Sequence, residues 1–230
     1  MSASTHSPVL KHHFEDLGQQ HASERLGMWM FLATEVLFFA GLFGAYTTYR
    51  LWYPAEFEAA SSHLNVLYAS INTALLVTSS LTMTFAIRAA KLGNRGELIR
   101  YLLATAALGT AFMVVKGFEY AEDFREHILP GAGSFGGEIK ADAEARGLDT
   151  GKVRLFLCFY YIMTGIHGVH LVIGIGVVLW LVQQSYTGKI PPDNYSTVEV
   201  VSLYWHLVDA IWLFLMPLLY LAGASIKHSH

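Results

Sequence analysis

The 230-residue chain is 53% hydrophobic and 14% charged, with a mean hydropathy of +0.39 and a formal net charge of −3. Soluble domains carry charge on about a quarter of their residues, so the composition indicates a membrane protein without a soluble domain, and the mild charge does not suggest nucleic acid. The single cysteine, Cys158, excludes an internal disulfide.

The chain opens with a polar tail, residues 1–25, carrying His6, His12, His13 and His21. It lacks the basic start, short apolar core and small-residue cleavage site of a signal peptide, so a retained, disordered tail is expected. Five stretches then meet the roughly 20 apolar residues that a spanning helix needs: about 26–49, 65–90, 98–121, 153–184 and 197–224. A long extramembrane loop, 122–152, separates the third and fourth, and a short tail, 225–230, ends the chain. Backbone polar groups have no partner in lipid, so each span must be a helix bonded within itself. The expected fold is an all-α integral membrane protein, a bundle of five transmembrane helices. Gly41 and Gly44, Gly165 and Gly168, and Gly174 and Gly176 are spaced to let helices approach closely.

Orientation follows from Lys and Arg in short loops. The connection between the second and third spans carries Arg88, Lys91, Arg95 and Arg100, whereas the first loop has Arg50 and the C-terminal tail Lys227. The third loop is long, and acids outnumber its bases: Glu122, Asp123, Glu126, Glu138, Asp142, Glu144 and Asp149. Summed over all loops the sides nearly tie, so the dense second loop decides. The N-terminus is expected in the cytoplasm and the C-terminus outside.

Ionisable groups inside spans are candidate functional residues. They are Glu35 in the first span, Lys116 and Glu119 in the third, His167 and His170 in the fourth, and His206 and Asp209 in the fifth. At about 1.5 Å of rise per residue, Glu35, the paired histidines and the His206/Asp209 pair share a layer near the midplane. Lys116 and Glu119 fall toward the outer end. Residues three apart share a helix face, which favours pairing within His167/His170, His206/Asp209 and Lys116/Glu119. Glu35 has no basic neighbour on its own helix, so its partner is expected across the bundle, at His167 or His170. It is either a proton-handling group or a structural hydrogen bonder, and the second is favoured. The H-x-x-H pair suits a haem or metal chemically, but further ligands are wanting and interhelical hydrogen bonding is the favoured reading. The second span adds uncharged partners, Asn72, Thr73, Thr78, Ser79, Ser80, Thr82 and Thr84, although for its serine and threonine run packing is the favoured reading. The acidic third loop offers a surface for a basic partner such as a c-type cytochrome, against a favoured solvated and mobile loop; its "PGAGSFGG" segment (130–137) reads as coil.

Five motifs appear in one order: "TEVLFFAGLF" (34–43), "NTALLVTSS" (72–80), "KGFEY" (116–120), "TGIHGVH" (164–170) and "YWHLVDAIWLFL" (204–215). Together they resemble the cytochrome c oxidase subunit 3 family, the third subunit of the haem-copper terminal oxidases, over about residues 25–222. The resemblance implies an accessory, non-catalytic subunit of a proton-translocating enzyme that reduces oxygen to water. Such a subunit binds no cofactor or metal itself. Haem and copper belong to partner subunits, structural phospholipid sits in a cleft, and the subunit packs against subunit I, with subunit II and others in the complex. It supports assembly, oxygen access and proton uptake. By motif, Glu35 matches the family's intramembrane glutamate, His167 and His170 its paired histidines, His206 and Asp209 its last-helix "YWH..D", and Glu119 its "EY" glutamate. The implied location is a bacterial plasma membrane.

Three departures stand out. Two further N-terminal helices of the seven-helix members are lacking, as in short bacterial forms. Lys116 stands where a neutral amide is expected, and the third loop is long. Cytochrome c is the expected donor, with quinol oxidases and nitric oxide reductase systems as alternatives. A small transporter would need broken helices, and a di-haem membrane anchor would show a Soret band in the isolated chain.

Overall fold

Each apolar run closes its hydrogen bonds within itself as a helix, and polar residues at the ends decide where it starts. The computed structural model describes residues 17–131, 135–188 and 196–221. Among these residues the helices are α1 (Leu17–Trp52), α2 (Pro54–Ser62), α3 (Val66–Lys91), α4 (Arg95–Arg125), α5 (Gly137–Ala145), α6 (Thr150–Tyr186) and α7 (Ser196–Tyr220). Five of them, all but α2 and α5, are long and apolar enough to cross a membrane. Asn65, Asn94 and Asp149 cap α3, α4 and α6, each side chain accepting a first-turn backbone N–H; such caps contribute about 1 kcal/mol apiece. Gly93, at φ 67°, turns α3 into α4 within three residues.

The spans differ from expectation mainly at their ends. Helix α1 begins at Leu17, inside the segment expected to be a disordered tail. The earlier part of that tail, with His6, His12 and His13, lies outside the described residues, as does the 225–230 tail with Lys227. Helix α7 runs to Tyr220, and residues 222–224 of the expected fifth span also lie outside. Two short helices were not anticipated. Pro54 sits in the first turn of α2, where its missing N–H costs nothing. The third loop, of which residues 132–134 lie outside the description, carries α5, whose Ile139 and Ala143 are buried. His63 reaches Asp142 at 3.3 Å, Arg146 bonds the same carboxylate at 2.8 Å, and Arg154 donates to the Pro130 carbonyl. The loop expected to be solvated and mobile is therefore tied to α2 and α6.

Helices α3, α4, α6 and α7 form a ring in which each contacts the next, while α1 lies outside it against α7 and touches α6 lightly. In the most apolar stretch of α7, 56% of residues are enclosed by protein; in α1 the figure is 11%. The ring's interior is aromatic, with Phe112, Tyr160, Trp205, Trp212 and Tyr220 all fully enclosed. Trp205 fills the space left by Gly109 and Gly174, where an added Cβ would come within 2.8 Å and 3.3 Å of its ring. The other expected close-approach glycines do not serve that purpose within this chain: Gly41, Gly44, Gly165 and Gly176 have nothing within 4 Å of a built Cβ, and Gly168 meets only Met113, at 3.8 Å. At the far end of α7, Tyr46 and Ser61 donate to the Leu218 and Leu219 carbonyls, at 2.8 Å and 2.7 Å. These carbonyls belong to the last described turn of α7, and carbonyls at a helix end take side-chain donors.

Candidate functional site

The intramembrane polar residues separate into three clusters. The first joins α1 to α6. His170 Nδ1 lies 2.9 Å from the Ile166 carbonyl oxygen, which can only accept, so Nδ1 carries a proton. Nε2 lies 2.9 Å from Glu35 Oε2. With Nδ1 donating, a single proton sits between Nε2 and the carboxyl, whether the pair is written as imidazolium and carboxylate or as imidazole and acid. The pair is partly enclosed, with side-chain exposures of 19% and 18%. It lines an apolar groove of about 380 Å³ with Met28, Phe31, Ile173, Val177, Val201 and Tyr204. Of the two candidate partners for Glu35, His170 takes it and His167 does not.

The second cluster joins α3 to α7, and it corrects an expected pairing. His206 and Asp209 do not bond each other. His206 Nδ1 is 2.6 Å from Ser80 Oγ, Asp209 Oδ2 is 3.4 Å from Ser79 Oγ, and Trp205 donates its indole N–H to Ser79 at 3.1 Å. Trp212 donates to Thr73 at 3.1 Å, and Thr82 bonds Thr105 on α4 at 2.8 Å. The serine and threonine run of α3, named as a source of uncharged partners but favoured as packing, is the hydrogen-bonding seam that α7 reads.

The third cluster is enclosed between α4, α6 and α7. Lys116 Nζ donates to Glu119 Oε2 at 3.0 Å, to Tyr160 Oη at 2.9 Å and to Tyr220 Oη at 2.6 Å. These three partners use all its protons. Both phenols in turn donate to Glu119 Oε1, at 2.8 Å and 2.6 Å. Tyr161 donates to Asp123 at 3.0 Å, and Tyr120 bonds Thr164 at 2.6 Å. The ammonium also lies 4.7–5.6 Å from the ring centroids of Tyr120, Tyr160, Trp212 and Tyr220, a cation–π setting. A buried charge is tolerable only when paired and fully hydrogen-bonded, and Lys116 is both. Sequence reading placed Lys116 with Glu119 but missed the phenols and Asp123. Their only trace is tyrosine in otherwise apolar runs near helix ends, "CFYY" (158–161) and "LLYL" (218–221).

His167 stands apart from its neighbour in the H-x-x-H pair. It is buried against Phe112 and Trp212, with ring centroids at 5.7 Å and 5.3 Å, and neither ring nitrogen has a hydrogen-bond partner among the described residues. The two imidazoles thus point to different helices. Among the described residues, no group of three or more His, Cys, Asp or Glu side chains converges as a metal site would require.

Comparison with known proteins bears on the whole arrangement. The family model described as Cytochrome c oxidase subunit III matches residues 12–126 and 153–224. The stretch it passes over contains α5 and most of the long third loop. The chain is 31% identical over 196 residues to a cytochrome c oxidase subunit 3 of Synechocystis sp., covering 85% of this chain and 74% of that protein. It is 32% identical over 212 residues to the cytochrome c oxidase subunit 3 of Papio hamadryas, covering 88% and 70%. It is 28% identical over 198 residues to the cytochrome bo(3) ubiquinol oxidase subunit 3 of Pseudomonas aeruginosa, covering 86% and 84%. With five membrane-spanning helices and a match across all of them, the chain belongs to the cytochrome c oxidase subunit III family, the accessory subunits of the haem-copper oxidases.

Proposed function

We propose that the chain is the non-catalytic third subunit of a cytochrome c oxidase that reduces oxygen to water and moves protons. It packs on the catalytic subunit I, beside subunit II, in a bacterial plasma membrane. The haem and copper reside in the partner subunits. The chain's own imidazoles support that division: His170 uses both ring nitrogens on Glu35 and Ile166, His206 is engaged by Ser80, and His167 is walled in by aromatic rings. Among the described residues, none of these three is paired with a second imidazole for axial ligation of a haem.

The observation that carries the reading is the Glu35–His170 pair on the wall of an apolar groove between α1, α6 and α7. An apolar groove with one polar anchor suits an acyl chain, so structural phospholipid is its proposed occupant. An acid and an imidazole within hydrogen-bond reach, partly open to the groove, suit proton handling for a neighbouring subunit. The enclosed Lys116 cluster and the α3–α7 seam are assigned to holding the helices together. Cytochrome c is the proposed donor, consistent with the names of the Synechocystis and Papio relatives; the Pseudomonas relative, a ubiquinol oxidase subunit, keeps quinol as the second reading.

Purification of the native complex tests both. Co-purification with a haem-copper subunit, and oxidation of reduced cytochrome c in preference to quinol, is the expected result. Orientation is tested by a cysteine probe at Asn94, in the basic α3–α4 turn. It should be labelled only from the cytoplasmic side, and labelling from outside inverts the topology.

A further inference from the structure

The α3, α4, α6, α7 ring is packed with aromatic side chains, yet it buries polar atoms that meet no hydrogen-bond partner among the described residues. Both amide atoms of Asn72, both ring nitrogens of His167 and Oδ1 of Asp209 are enclosed and unpartnered. Asn72 is 0% and His167 1% exposed. Buried polar groups in folded proteins are nearly always hydrogen-bonded, so these atoms call for a ligand.

Asn72 and His167 lie at one level of the ring. The Thr82–Thr105 bond sets the antiparallel register of the α3–α4 hairpin. Ten residues further along each helix from that bond, Asn72 comes level with Val115, next to Lys116. Trp212 marks the same level from α7: it donates to Thr73, the neighbour of Asn72, and its ring lies 5.3 Å from His167 and 5.6 Å from Lys116 Nζ. Phe112 meets Trp212 at 4.8 Å across one diagonal of the ring, from α4 to α7. Asn72 and His167 belong to the other diagonal, α3 and α6.

The chemistry selects the occupant. A neutral imidazole offers one donor and one acceptor, and an amide offers both kinds as well, so the ligand must donate and accept at once. A metal cation can only accept lone pairs, and a cationic ligand would sit close to the Lys116 ammonium. An anion cannot donate. A haem or acyl chain is too large for atoms with no exposure. Water meets each requirement.

We propose that the interior of this ring is a built water site, with ordered water bound at His167 and Asn72 on the flanks of the Phe112–Trp212 pair. Bound water there extends the polar groups of the Lys116 cluster toward α3.

The test is a structure of the native complex, at a resolution that shows buried waters in its other subunits. Ordered density within hydrogen-bond distance of a His167 ring nitrogen and of the Asn72 amide is expected. The variants His167→Phe and Asn72→Leu should each lose the density at the substituted side chain. Infrared difference spectra in D2O should lose a weakly bonded O–D stretching band in the same variants. Direct protein partners for these atoms, dry density around them, or an infrared spectrum unchanged by either substitution overturns the proposal. If a variant fails to assemble, the wild-type density alone decides.

Discussion

Two acid–base pairs within the spans, Glu35–His170 and Lys116–Glu119, have nearly the same length, 2.9 Å and 3.0 Å, and opposite surroundings. The Lys116 and Glu119 side chains are 7% and 2% exposed, and two phenols bond both of them. Glu35 and His170 are nearly a fifth exposed, and Glu35 stands on a helix, α1, that the rest of the chain barely encloses. The enclosed pair has every proton assigned, so it serves as a fixed joint. The groove pair shares one proton and has a free side toward whatever fills the groove, so it has room to act.

Substitutions can break or sharpen that contrast. The largest effect is expected at Glu119→Leu, which leaves the Lys116 ammonium without its close carboxylate. Breaking a buried pair from one side costs roughly 3–5 kcal/mol, read as a loss of assembled complex or of its thermal stability. The double change Lys116→Met, Glu119→Gln should recover most of that loss, because removing both charges removes the stranded one. A recovery of nothing would mean that the phenols, not the charges, hold the joint.

Gly109→Ala should come next. Its Cβ would sit 2.8 Å from Trp205 Cη2, and overpacking of this kind costs roughly 1–3 kcal/mol. Gly41→Ala, with open space around the built Cβ, should leave the chain's own packing unchanged. Comparing the melting of the two variant complexes separates internal packing from packing on a partner.

Ser79→Ala removes the acceptor of the Trp205 N–H and a hydroxyl 3.4 Å from Asp209, an expected loss of about 1–3 kcal/mol. His206→Leu removes one bond, to Ser80, and should cost only about 0.5–1.5 kcal/mol. If His206→Leu proved the more damaging in the same melting assay, the division of the α3–α7 seam would be wrong.

The smallest stability effect is expected at Glu35→Gln. Partly exposed ion pairs contribute under about 1 kcal/mol, so the complex should assemble normally. Activity followed over many turnovers should decline faster than in the wild type; an unchanged time course would leave the pair with a structural role alone.

The legible part of this chain was what one helix can announce by itself. Apolar run lengths placed five spans, and i,i+3 spacing paired Lys116 with Glu119. The motif order pointed to the family. Spacing misled where a partner on another helix competed: His206 and Asp209 share a face, yet each turns to a serine of α3. Glu35 was readable as a group in need of a partner, but the choice between His167 and His170 was not. Those two residues are three apart, and the ring turns one toward α1 and the other toward Phe112 and Trp212. Tyr160 and Tyr220 looked like ordinary apolar lining because a phenol declares its bond only when a donor or acceptor arrives from elsewhere.

The sequence alone determined that the chain crosses a membrane as helices, since a backbone in lipid has nowhere else to place its hydrogen bonds. It also determined which residues would be costly there. Only the tertiary structure decided which of those residues share a cluster, because helix rotation and register are set by the shapes that interlock, such as Trp205 against Gly109 and Gly174. Such contacts join positions tens of residues apart, and no local period records them.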